Sequence, residues 1–173
     1  MIDTRRLRSL RRPLTDDIVH GWTPVYPHVR YQDPGDAIAW LTRAFGFRER
    51  VRMAEPDGTI ITSKLETPGG GLVMVAGASP DFQTWIRERV PEFRQPDERP
   101  WPNLTHTTTV MVGNVDAHYE RARATGATIL MPPTDQPWGL RVYAAFDPEG
   151  HQWEFSQILR TIEPEEWGAT RID

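Results

Sequence analysis

Apolar positions along this chain follow two spacings in turn, and that succession occurs twice. Between Asp33 and Gly46, the residues Ala37, Trp40, Leu41, Ala44 and Phe45 recur at the three-and-four interval of a helix face. Asp33 can accept from the first free amides, Pro34 fits the first helical position, and Gly46 suits the left-handed cap that ends a helix. Ahead of this helix, residues 25–32 read as a strand, and Pro27 would require it to lie at an edge. Behind it come extended runs over 48–54 and 59–66, joined by the turn Glu55-Pro56-Asp57-Gly58. The turn Pro68-Gly69-Gly70-Gly71 then leads into a strand over 72–76.

The second succession begins with a β-branched run over 107–112. Asn114 can cap a helix over 115–125, Gly126 stops it, and residues 128–131 return to strand spacing. A Pro-rich loop is expected over 132–139 and a strand over 141–146. The turn Asp147-Pro148-Glu149-Gly150 opens the last strand, where Trp153 and Phe155 share one face and Gln152, Glu154 and Ser156 the other. The helix places His118 on a solvated face. Residues eighty apart support duplication: Asp36 and Asp116, Ala37 and Ala117, Arg43 and Arg123, Ala44 and Ala124, Gly46 and Gly126, Pro68 and Pro148, Gly70 and Gly150. Two strand-helix-three-strand units predict an α+β fold of two tandem βαβββ modules. They would form a cupped, partly closed mixed β-barrel with helices outside. Five segments follow: a basic N-terminal extension over 1–23, a first module over 24–79, a linker over 80–104, a second module over 105–158 and an acidic tail over 159–173. The linker carries proline and tryptophan, with a short helix expected near 82–90.

Composition narrows the classes. With 38% hydrophobic residues and a net charge of −4 over 173 residues, the chain reads as a soluble globular protein without a nucleic-acid or membrane partner. The absence of cysteine excludes disulfides, thiolate metal sites and a cysteine nucleophile. The arginine-rich start, Arg5 to Arg12, lacks the apolar stretch of a secretory signal, so cytoplasmic residence is the expectation. Gly69-Gly70-Gly71 precedes a strand rather than a helix, which argues against a phosphate loop.

These residues resemble the vicinal oxygen chelate superfamily, the glyoxalase, bleomycin-resistance and extradiol dioxygenase fold. The resemblance is carried by Asp33-Pro34 through Ala44-Phe45-Gly46-Phe47, by Val115-Asp116-Ala117-His118-Tyr119-Glu120-Arg121-Ala122 through Gly126-Ala127, and by Asp147-Pro148-Glu149-Gly150-His151. It covers about 24–79 and 105–158. Members include metal enzymes and metal-free binders, and the resemblance implies a homodimer.

In the metal-dependent members, His and Glu ligands come from the first and last strands. Glu154, four residues past Gly150, matches the carboxylate position. Its repeat mate is Met74, which cannot serve a hard cation. His106, twenty residues before Gly126, suits the histidine position, with Tyr26 as its mate. The available triad is His28 or Tyr26 with His106 and Glu154, a donor set for Fe, Mn or Ni, with Zn a further alternative. In that alternative the chain is a metal-dependent lyase, isomerase or dioxygenase in which Glu154 moves a proton. A slip of one residue in strand register would turn a histidine outward. The favoured expectation is a metal-free cavity binding a small hydrophobic or aromatic molecule. Arg30, Met74, Thr108, Arg141, Tyr143, Gln152 and Glu154 would line it, and Trp138 would cover the opening. An Arg141–Glu154 ion pair is the structural alternative for those two residues.

Overall fold

A computed structural model describes residues 25–77 and 106–172 of the chain. The basic extension and the linker with its expected short helix lie outside the described residues. The first module runs β1 (His28–Tyr31), α1 (Pro34–Phe45), β2 (Arg48–Ala54), β3 (Ile60–Glu66) and β4 (Leu72–Gly77). The second runs β5 (Thr108–Met111), α2 (Val115–Ala124), β6 (Thr128–Asp135), β7 (Leu140–Phe146) and β8 (Gln152–Ile158). A 3-10 turn at Pro164–Trp167 follows. The strand orders are β1-β4-β3-β2 and β5-β8-β7-β6, with β1 parallel to β4 and β5 parallel to β8. The fold is α+β with two mixed sheets, and each sheet is its own ladder, short of closure into a barrel. Among the described residues, no helix is long and apolar enough to cross a membrane.

The caps behave as the residue types dictate. The Asp33 side chain accepts from Asp36 N at 2.9 Å, and Asn114 accepts from Ala117 N at 2.9 Å. Gly46 closes α1 with φ 67°, a left-handed conformation that costs a residue without Cβ nothing. Pro27 precedes β1, which is indeed an edge strand. The expected Pro-rich loop is corrected: β6 continues through Pro132 and Pro133 to Asp135. It can do so because β6 is the other sheet's edge and its pairing with β7 shifts register between Met131 and Thr134.

The duplication carries a one-residue offset that ungapped comparison hides. Met74 and Glu154, eighty apart, occupy equivalent ladder positions opposite Lys64 and Ala144. On the first strands, however, His28 pairs with Met74 while Thr109 pairs with Glu154, a separation of eighty-one. The caps Asp33 and Asn114 are also eighty-one apart, as are Leu41 and Ala122, both fully buried. α2 has thus lost one residue near its end. The identities within the helices at a shift of eighty are not structural mates.

Both helices and the facing sides of both sheets share one core. Phe45 of α1 lies with ring centroids 4.6 Å from Phe155 and 5.9 Å from Trp153, both on β8. His118 is corrected from a solvated position to a buried one between the modules. Its Nε2 lies 2.9 Å from the Phe45 carbonyl, which can only accept, so Nε2 carries the proton. Nδ1 then accepts from the Tyr143 hydroxyl at 2.6 Å. Beside it, the Cβ that an alanine would add at Gly69 would overlap the Met111 carbonyl oxygen, so the two backbones meet there.

The Asp147 carboxylate is buried between the modules, 4% exposed. It accepts from Tyr31 Oη at 2.6 Å, Trp153 Nε1 at 3.0 Å, and the amides of Glu149 and His151 at 3.0 Å each. Burial, then the neighbouring Asp147 charge, pushes the Tyr31 phenol well above its ordinary range.

Two outcomes follow. Tyr31→Phe removes one charge-assisted bond and should lower stability by about 1.5–3 kcal/mol in urea unfolding. A loss within error would mean that the contact does not couple the modules. Burial lowers His118 to about 4 from 6.5. Between those values the unfolded chain binds a proton that the folded chain refuses. His118 therefore contributes stability that is fully present above about pH 6.5 and is lost as pH falls toward 4, on the order of 3 kcal/mol. Denaturation curves of wild type and His118→Gln should diverge in that window, and parallel pH profiles would contradict the assignment.

Candidate ligand-binding face

Alternation along β8 sends Trp153 and Phe155 into the core and Gln152, Glu154 and Ser156 to the opposite, helix-free face. Cross-strand register sets two rows on that face. One is Thr109, Glu154 and Ala144, and the next is Met111, Ser156 and Val142. Thr109 Oγ1 donates to Glu154 Oε1 at 3.2 Å. Val142, Ala144 and Ser156 are buried although they point away from the helices. Ser156 Oγ is buried and has no hydrogen-bond partner among the described residues. A buried hydroxyl without a partner costs free energy, so a ligand polar group reaching it would gain what the fold leaves unmade.

The first module presents the mate of this face. His28, Met74 and Lys64 form one row, and Arg30, Ala76 and Thr62 the next. His28 is exposed, and burial followed by the nearby Arg30 charge lowers its pKa. Arg30 reaches back to donate to the Gly77 carbonyl at 3.3 Å.

Of the residues expected from sequence, Glu154, Gln152, Met74, Arg30 and His28 stand on helix-free faces. Thr108, Arg141 and Tyr143 do not. Thr108 pairs with Trp153, on the helix side of its strand. Tyr143 pairs with Phe155 inside the core and is fully buried. Arg141 binds Asp116 at 3.1 Å and Asp135 at 2.5 Å, which replaces the expected pairing with Glu154. Its charge is spent tying β7 to the start of α2 and to β6. Trp138 sits at the β6–β7 turn, 42% exposed, with its ring 6.1 Å from that of Trp167. The acidic tail folds back there, since the amides of Leu159 and Arg160 both donate to the Gly139 carbonyl. His106 is exposed and precedes β5, outside the ladder. As lining residues, sequence reading missed Val142 and Ala144, which the pairing of β7 with β8 places on this face, and Thr109 and Met111, which follow from the offset of eighty-one. The paired caps Asp33 and Asn114 were the available signal.

The metal alternative requires three or four nitrogen or oxygen donors converging on one point. Among the described residues, no three His, Asp or Glu side chains are placed to hold a metal ion. His28 and Glu154 belong to different sheets, and Met74 stands where the first module would need a carboxylate. Among the described residues, the expected donors His28, His106 and Glu154 do not converge on one point.

Comparison with known proteins agrees with this architecture. Residues 23–155 match the family model of the Glyoxalase/Bleomycin resistance protein/Dioxygenase superfamily. An uncharacterized protein of Mycobacterium bovis is 29% identical over 143 residues, covering 81% of this chain and 86% of that one. The crystal structure of TioX from Micromonospora sp. ML1 is 35% identical and covers 80% of this chain and 100% of its own, with a TM-score of 0.58. A glyoxalase/bleomycin resistance protein/dioxygenase family enzyme from Burkholderia phytofirmans shares the fold. It is 19% identical, covers 78% of this chain and 97% of its own, and has a TM-score of 0.57.

Proposed function

The chain belongs to the Glyoxalase/Bleomycin resistance protein/Dioxygenase superfamily, and from that premise we propose that it binds a small hydrophobic or aromatic molecule without a metal. The ligand would lie on the helix-free faces of the modules. The observation that carries this reading is the patch around Ser156, whose buried hydroxyl has no hydrogen-bond partner among the described residues and lies among Val142, Ala144, Met111 and Glu154. Apolar area with a few fixed polar groups is the composition of small-molecule sites. Thr109 holds Glu154 in place, so the carboxylate is oriented and does not have to be ordered on binding. An aromatic ligand with a cationic or donor group would match it. A second copy of the chain would cover the faces, with exposed Met111 and Ile158 at the rim.

The test uses protein purified without chelator and 9-aminoacridine, a planar aromatic cation whose fluorescence changes on binding. Saturable binding near one equivalent is expected, with metal content well below stoichiometric and affinity unchanged after chelator. Glu154→Gln should weaken binding about tenfold, or about 1.4 kcal/mol. About one transition metal per chain, lost in Glu154→Ala, would favour the metal-dependent lyase, isomerase or dioxygenase instead. A native mass of one chain would remove the homodimer from the reading.

A further inference from the structure

On the opposite side of the first module, a cleft of about 320 Å³ runs between α1 and the β7–β8 turn. Its size lies at the lower end of the range for ligand pockets. Asp36, Trp40 and Arg43 lie along its helical wall, with Pro148 and Glu149 opposite and Tyr31 and Asp147 at the buried end. Of its charged groups, Asp147 is saturated by four donors, and Glu149 accepts from the amides of Gln32 and Asp33. The side chains of Asp36 and Arg43 have no hydrogen bond or ion pair among the described residues. The cleft therefore offers a carboxylate at one end and a guanidinium at the other, with an indole between.

Duplication supplies an internal control. The second module has the same cleft in the equivalent place, about 190 Å³, lined by Val112, Ala117, His118, Arg121 and Pro68. Tyr31, Asp36, Ala37 and Trp40 correspond to Val112, Ala117, His118 and Arg121 at a separation of eighty-one. Pro148 corresponds to Pro68 at eighty. The fold thus makes the cleft twice but furnishes it once. Alanine serves at both charge positions in the second copy, Ala117 for Asp36 and Ala124 for Arg43. Arg121 stands at the position of Trp40 and donates across to the Ala44 carbonyl at 3.1 Å. Complementing a helix dipole does not require charges in the cleft, because α2 carries Asp116 and Arg123 for that purpose outside its own.

We propose that the cleft of the first module binds an elongated zwitterion of about tripeptide length with an apolar or aromatic middle. Asp36 and Arg43 are seven residues apart on a helix that rises 1.5 Å per residue, which separates the charges by roughly 10 Å. An extended tripeptide spans about the same distance between its ends. Its ammonium meets Asp36, at the end where Glu149 adds negative charge. Its carboxylate meets the Arg43 guanidinium, which can bind it through two parallel bonds. The central side chain lies on Trp40, whose ring is already held edge-on by Phe45 at 4.9 Å.

Calorimetric titration of the full chain with Gly-Phe-Gly bearing free termini tests this. The free peptide should bind near one equivalent, and acetylating its amine or amidating its carboxylate should weaken binding at least tenfold. Asp36→Ala and Arg43→Ala introduce the second copy's residues at exposed helix positions, so the fold should persist, as circular dichroism would verify. Each should weaken the free peptide about as much as blocking the matching terminus does. Asp36→Ala should then be indifferent to acetylation and Arg43→Ala to amidation. Absence of binding by the free peptide overturns the proposal. So does equal affinity for free and blocked peptides, or for wild type and both variants.

Discussion

The two halves of this protein are held in register by one buried carboxylate. Burying an unpaired carboxylate costs many kcal/mol, so Asp147 can occupy the core only because four donors meet it there. Two of those donors belong to its own turn and a third to Trp153, two residues into β8, while the fourth is Tyr31 at the end of β1. Satisfying the charge therefore requires the first module to be in place. The contacts beside it have the same character. His151 Nε2 donates to the Arg30 carbonyl at 3.0 Å, and Glu149 accepts from the amides of Gln32 and Asp33. A turn that sequence reading identified from its Pro and Gly is in fact the clasp between modules. The equivalent turn of the first module uses Thr67, whose hydroxyl accepts from Gly71 N at 3.0 Å, so the local geometry is shared and the charge is particular to the second copy.

Two further polar side chains, His118 and Tyr143, are consumed by this junction. His118 sends one nitrogen to Tyr143 and the other to the Phe45 carbonyl. Its ring also lies 4.3 Å from that of Phe155. Burial pushes the Tyr143 phenol above its ordinary range, and its proton is committed to His118. Neither group is free to exchange a proton with a substrate. Charged side chains that the junction leaves unused stand on the helix-free face, at Glu154, and along α1, at Asp36 and Arg43.

Strong local signals made most of the fold legible in the sequence. Caps, glycine stops and alternating apolar residues depend on a few neighbouring side chains, and the boundaries of β2, both helix caps and the faces of β8 followed from them. What failed was relational. Face assignment on β5 depends on pairing with β8, and a single deleted residue in α2 moved Thr109, rather than Thr108, opposite Glu154. Because side chains alternate, that one residue exchanges the entire face of a strand. Tyr143 and Arg141 failed for a different reason. Their strand was identified correctly, but an aromatic ring and a guanidinium are equally at home on either side of a sheet. Only the presence of Phe155 opposite Tyr143, and of Asp116 on the helix above Arg141, decides between them.

The same deletion bears on how the copies diverged in use. In the second module, Arg121 lies over Gly46, close enough that a Cβ there would meet its guanidinium at 2.7 Å. The left-handed glycine at the end of α1 thus serves twice, by closing the helix and by leaving room for an arginine from the other module. The mate of Arg121 is Trp40, which packs on Phe45 within its own module and extends no charge across the junction. Only one of the two equivalent positions is needed to join the halves. Arg121 fills that role through the Ala44 carbonyl, so the fold does not require the same contact from the position of Trp40. Asymmetry between duplicated halves is, on this argument, a guide to which surfaces a molecule uses for binding and which it uses to stay folded.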